Sequence, residues 1–307
     1  MNMRNMNFVL VLSLALMGLS APALSQPIID GTADPEYGAA LAVQNTQTGF
    51  GDSNLGMNDY ANGSELDVAY GLVQGSILYL VLAGNLESNF NKLDIFIDSI
   101  AGQGQNRLRG DNPDVDFNGL NRMGDDGSGN GLTFDPGFEA DFWLSVTGGG
   151  SPYKLYANYA RLRVDGDPGE GYYLGNTGAV SDGTLSEGYN PFGIRVTINN
   201  SNTGGVTGGS GLDSGAGVTT GVEWAIPLAA IGNPSGAFKI TAFINGVSHD
   251  YLSNQVLGGI GGGNNLGEPR NVNFANIAGD QFFVVPEPTS LGVLLLGLGA
   301  LALRRRR

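Results

Sequence analysis

Residues Lys92 to Asp98 read KLDIFID, and this heptapeptide decides the fold class. Leu93, Ile95 and Ile97 alternate with Asp94, Phe96 and Asp98, the period of two that a pleated strand imposes when one of its faces is buried. The same grammar recurs along the chain: short apolar runs bounded by Gly, Asn, Asp and Ser. It predicts strands over Ala39 to Asn45, Leu66 to Val73, Ile77 to Ala83, Lys92 to Asp98, Phe138 to Thr147 and Tyr153 to Val164. Further strands are predicted over Gly193 to Asn199, Val218 to Ile226, Phe238 to Asn245 and Gln281 to Val285. No segment carries the pattern of a long amphipathic helix, and the best helical candidate is the short turn Pro227 to Ile231. Strands separated by turn-rich loops read as an all-β protein, an antiparallel β-sandwich of jelly-roll-like kind. Gly119 to Gly131, Asn199 to Gly217 and the GGIGGG run at Gly258 to Gly263 are too loose for strands and are expected to be long loops. Nothing marks an internal repeat or a second domain, so residues 26–285 are expected to form one unit.

Charge narrows the function. Of the chain's 15 basic and 29 acidic residues, Arg4, Arg304 to Arg307 and Glu287 fall in the terminal segments, which leaves 28 acids against 10 bases, a net of −18, in between. Such a body repels nucleic acid and anionic lipid, so no nucleic-acid partner is expected. The 51 glycines supply turns, and zero cysteines rule out disulfides and thiolate metal sites.

Both ends read as addresses. At the start, Arg4 precedes a 12-residue apolar run from Phe8 to Leu19, and Ala23-Leu24-Ser25 offers small residues at a cleavage position. Residues 1–25 are therefore expected to be a removed signal peptide, with cleavage after Ala23 as the alternative. The tail reads VPEPTSLGVLLLGLGALALRRRR. Its apolar run, Leu291 to Leu303, covers 13 residues, about 20 Å of helix against a hydrocarbon core of about 30 Å. Arg304, Arg305, Arg306 and Arg307 would hold the extreme end in the cytoplasm. A short, charge-locked anchor of this kind suits recognition and removal.

That tail resembles the PEP-CTERM sorting signal of Gram-negative bacteria, through Pro286-Glu287-Pro288, the apolar run and the arginine cluster. The resemblance implies export, with the Sec machinery and an exosortase as partners. It also implies transient anchoring in the inner membrane through the C-terminal helix, and a mature protein at the cell surface or in the extracellular matrix, in organisms that make exopolysaccharide. In the body, IIDGTADPEYG (Ile28 to Gly38), LDIFIDS (Leu93 to Ser99) and VEWAIPLAAIG (Val222 to Gly232) resemble the punctuation of carbohydrate-binding module family 9-like and DOMON-like sandwiches. The sequence lacks the clearly exposed aromatic pair of such domains, so no ligand residue is carried across.

Candidate sites come from local pattern. Asp114, Asp116 and Asn118, followed by Gly119, match the first half of a calcium loop, and Asp125 stands at its twelfth position. A structural Ca2+ in a β-protein loop is one reading; an acidic surface turn is the other. Trp143, in FEADFWLSV, shares a mixed strand face with Asp141, and Tyr153, Tyr159 and Arg161 lie along a tyrosine-rich strand; these four are the candidate ligand contacts, whereas Trp224 reads as core. His249 is the sole histidine, so multi-histidine metal centres are excluded, and neighbouring Asp250 would point away from it in an extended chain. A structural or surface role for His249 is expected over a catalytic one. No carboxylate pair is singled out for glycoside hydrolysis, and no glycine-rich loop has the setting of a phosphate site. The sequence thus points to a non-enzymatic exported sandwich, adhesive or associated with exopolysaccharide. A defined carbohydrate-binding module and a two-carboxylate polysaccharide hydrolase are the alternatives.

Overall fold

The computed structural model describes residues 25–50 and 63–287. The signal-peptide expectation over residues 1–24, and Pro288 with the apolar run and arginines beyond it, lie outside the described residues.

KLDIFID is a strand over the predicted bounds, β4 (Lys92–Asp98). It follows β1 (Ala42–Val43), β2 (Glu65–Gln74) and β3 (Ile77–Asn85). Beyond it come β5 (Phe142–Gly149), β6 (Lys154–Arg161), β7 (Glu170–Gly178), β8 (Arg195–Ile198) and β9 (Gly221–Pro227). The chain closes with β10 (Phe238–Asn245), β11 (Leu252–Val256) and β12 (Phe283–Val285). All pair antiparallel in two sheets. One has the order β1-β2-β3-β9-β8; the other runs β11-β10-β4-β5-β6-β7, with β12 sharing the β11 edge of β10. The result is the all-β sandwich that the alternation predicts.

Alternation assigns the faces. Leu93, Ile95 and Ile97 of β4, Leu144 and Val146 of β5, Leu155 and Ala157 of β6, and Ile240 and Ile244 of β10 meet Leu78, Leu80, Leu82, Trp224 and Ile226 of the other sheet in the inter-sheet core. The hairpin β2–β3 turns through two residues, with Gly75 at φ 63°, a conformation matched to the strand twist. The predicted turn after β9 is the 3-10 helix Leu228–Ile231.

The opposite face of the seven-stranded sheet carries a second core. Phe96, Trp143, Ala160 and Phe243 are covered there by Leu108, Leu120, Met123, Leu132, Phe134 and Phe138 from the connection between β4 and β5, and by Val272 and Phe274. Phe134 stacks against Phe96 and Phe138 at centroid distances of 4.9 and 5.1 Å. Part of the stretch expected to be only a loop is a single helical turn, α1 (Gly119–Arg122), whose Leu120 plugs this core. Two strands were not predicted, β7 and β11.

The last strand, β12, ends just before Pro286. Val285 is buried and registered against Phe238, while Pro286 and Glu287 are exposed. A chain ended after Glu287 is therefore expected to melt with the full chain. One ended after Gln281 loses buried Phe283 and Val285 and is expected to be less stable by roughly 3–6 kcal/mol, at about 1.5–3 kcal/mol per buried side chain. Thermal unfolding of the two truncations checks this.

Candidate functional site

Beside the second core, the outer face of the seven-stranded sheet stays open as a groove of about 940 Å³. Alternation directs Lys92 of β4, Thr147 of β5, and Tyr156 and Asn158 of β6 to its floor, and Tyr173 of β7 closes one side. The turn Asp116 to Asn118 leading into α1 and the β10–β11 turn with Val247 and His249 form the other.

The floor is held by a buried charge network. His249 Nδ1 lies 3.1 Å from Asp94 Oδ2, its Nε2 lies 2.8 Å from Asp116 Oδ2, and Lys92 Nζ donates to that same Asp116 oxygen at 2.8 Å. Asp94 also accepts from the Trp143 indole at 3.0 Å and from Asn245 Nδ2 at 3.2 Å. Burial alone would push His249 down, but the Asp94 charge and the hydrogen bond to Asp116 outweigh it and raise the imidazole to about 9. Burial raises Asp116 in turn, yet its contacts with His249 and Lys92 prevail and hold the carboxyl below its usual range. At neutral pH His249 is thus an imidazolium set against the Asp116 carboxylate.

Local conformation sets this up. Asn245 Oδ1 accepts from the backbone N–H groups of Gly246 and Tyr251, and so shapes the turn that carries His249. Gly119 is required by proximity: a Cβ there would lie 2.3 Å from His249 Cδ2. Among the described residues eight non-glycines have positive φ, and five of them, Phe90, Asp116, Phe117, Asn118 and His249, line this groove. Left-handed backbone at non-glycine residues is disfavoured and concentrates at functional sites. The run of three at Asp116, Phe117 and Asn118 turns Asp116 down onto Lys92 and leaves Phe117 fully exposed at 102%.

The rim is aromatic and apolar. Phe90, Tyr173 and Val247 are exposed beside Phe117, and Phe90 lies 6.5 Å from the half-buried ring of Tyr156. On the floor Asn158 is 3% exposed, and its side chain makes no hydrogen bond among the described residues. Its cross-strand neighbour Ser145, fully buried, also has an unbonded hydroxyl. Ser145 is sealed beneath the sheet and does not line the groove, whereas the Asn158 amide does and is open to a ligand or solvent.

The sequence candidates fall differently. Trp143 is on the expected face but fully buried beneath the second core, with its indole bonded to Asp94. Tyr153 and Tyr159 belong to the inter-sheet core, donating to the carbonyls of Leu86 and Ala230. Arg161 is tied to Asp167 and Glu170 on the surface. The four proposed calcium ligands turn to separate partners. Asp114 is exposed, Asp116 pairs with Lys92 and His249, Asn118 accepts from Asn121, and Asp125 caps the backbone of Gly127 and Gly129. Among the described residues no group of three or more His, Asp or Glu side chains is placed to hold a metal ion. His249 is buried and bonded to Asp94 and Asp116, which are remote in sequence.

The quoted body segments are joined in space. Glu223 of β9 accepts from the backbone N–H groups of Asp30 and Gly31 and from the Tyr37 hydroxyl, and Asp141 accepts from those of Ser99 and Ile100. These contacts explain the acids by backbone anchoring.

The PEP-CTERM protein-sorting motif matches residues 284–307. This motif implies processing by an exosortase and export across the inner membrane to the cell surface or the extracellular space. No curated protein and no solved structure matches the chain, so the likeness of the body to carbohydrate-binding sandwiches stays a resemblance. Among the described residues no helix is long and apolar enough to cross a membrane.

Proposed function

We propose that this chain is a non-enzymatic saccharide-binding sandwich of the cell surface or extracellular matrix. It would be exported through Sec, held briefly in the inner membrane by its C-terminal run, and freed for association with exopolysaccharide. The observation that carries the binding role is the groove: exposed aromatic rings over a floor that carries the Asn158 amide. Aromatic faces stack on the apolar faces of sugar rings, while polar groups in the floor read hydroxyls. A volume of about 940 Å³ suits an oligosaccharide better than a single ring, since drug-sized ligands fill pockets of roughly 300–1,000 Å³.

The hydrolase alternative is less well supported. Among the described residues Asp116 is the one carboxylate lining the groove, and it is held ionised by His249 and Lys92. Hydrolysis of a glycoside ordinarily needs a second carboxyl as partner, one of the pair protonated. Two measurements on the processed protein from producing cells test the reading. Mass spectrometry is expected to find the chain ending near Pro286 to Pro288, and pull-down on host exopolysaccharide is expected to retain it without releasing sugars. A cytosolic chain that still carries Arg307 would overturn the export reading, and release of reducing ends would overturn the non-enzymatic one.

A further inference from the structure

We infer that the groove selects an uncharged saccharide, a step that rests on the binding role proposed above. Every cationic group in its lining is already matched within the protein: Lys92 by Asp116 at 2.8 Å, His249 by Asp94 and Asp116, Arg122 by both oxygens of Glu268, and Arg270 by Asp126 at 3.2 Å. Among the described residues no cation is left to receive a uronate, sulfate or phosphate, and recruiting one would break an ion pair that is partly or wholly buried. The surrounding body, at −18 between the terminal segments, adds a long-range field that disfavours polyanions.

What remains unbonded is neutral. The Asn158 amide can donate twice and accept twice, and Tyr156 lines the groove beside it. An amide that both donates and accepts complements a pair of vicinal sugar hydroxyls, which do the same. Phe117, held outward by the left-handed turn, and Phe90 supply flat apolar surfaces. A polyhydroxylated ring with no charge is the ligand that uses this set without disturbing the ion pairs.

The test is calorimetric titration of the processed protein with neutral polysaccharides (dextran, laminarin, galactomannan) and uronate polymers (alginate, polygalacturonate), at low and high salt. At least one neutral polymer is expected to bind, with affinity changing less than about twofold with salt. Asn158→Ala and Phe117→Ala are each expected to weaken binding by about tenfold. Phe117 is fully exposed, so its variant reports on binding without a folding penalty. Binding of uronate polymers alone, abolished by salt, would overturn the selectivity and leave the saccharide-binding reading intact. Binding of neither class would overturn both. Neutral binding undiminished in both variants would move the site out of this groove.

Discussion

Asp94→Ala is expected to destabilise the sandwich by about 3–5 kcal/mol, the usual cost of removing one partner from a buried ion pair. Three donors converge on this carboxylate: the indole N–H of Trp143, the Asn245 amide and His249 Nδ1. Asp94 is fully buried, and His249 and Trp143 are 1% and 0% exposed. Alanine would therefore leave three polar groups without a partner where water cannot replace the lost oxygen atoms, and the imidazolium with only Asp116. For a body of this size the loss corresponds to a melting point lower by roughly 10 °C. Asp94→Asn separates charge from shape. Its Oδ1 can still accept from Trp143, but its amide nitrogen would face the donors of Asn245 and His249, so it too is expected to be clearly destabilised. Urea unfolding of both variants measures the effect, and a loss below about 1 kcal/mol for Asp94→Ala would mean that the network does not hold the turn.

How far the sequence discloses this molecule depends on whether hydropathy or polar contact built the element. β4 and β10 appear over their predicted bounds because their inward residues are aliphatic and their outward ones are mixed. β11, LSNQV, is invisible to the same test because Ser253, Asn254 and Gln255 are all buried. They are engaged with the loops around them: Asn254 donates to the carbonyls of Gln47 and Gly263, and Gln255 donates to that of Thr46. β7, EGYYLGNTG, is hidden by its glycines. Gly175 has φ 123°, and a Cβ there would strike the Ser186 carbonyl, so the residue that looks like a strand breaker is what the packing needs.

The site was less legible for a related reason. Alternation tells which face of a sheet a side chain takes, not whether a distant segment covers that face. Alternation puts Trp143 on a mixed face with Asp141, and the ring is core because residues of the β4–β5 connection lie over it. Asp116 was singled out by its spacing from Asp114 and Asn118, a pattern that belongs to cation loops. In the fold its partners are Lys92, 24 positions away, and His249, 133 positions away. The exposed aromatic rim was missed because Phe90 and Phe117 sit in loops, where neither period nor propensity marks a ring as outward.

The charge network also sets the pH profile of stability. His249 is raised from its usual 6.5 to about 9, so its contribution is fully present below pH 6.5 and is lost as pH rises through 9. A difference of that size corresponds to about 3 kcal/mol. Two buried carboxyls act at lower pH. Burial raises Asp67 to about 7 and Asp141 to about 6. For a carboxyl, a raised value means stability lost as pH climbs from about 4, a loss complete soon after neutrality. Tyrosines raised by burial, such as Tyr159, or chiefly by a hydrogen bond to Glu170, as in Tyr172, add their loss only above about pH 10. The slope between about pH 7.5 and 9.5 therefore belongs mainly to His249, which is bonded to Asp94 and Asp116. Unfolding free energy is expected to fall across that window in the native protein. In His249→Gln it is expected to be lower at neutral pH and nearly flat over the same range. An equally steep alkaline decline in His249→Gln would show that the imidazole is not the protonated link between the two carboxylates.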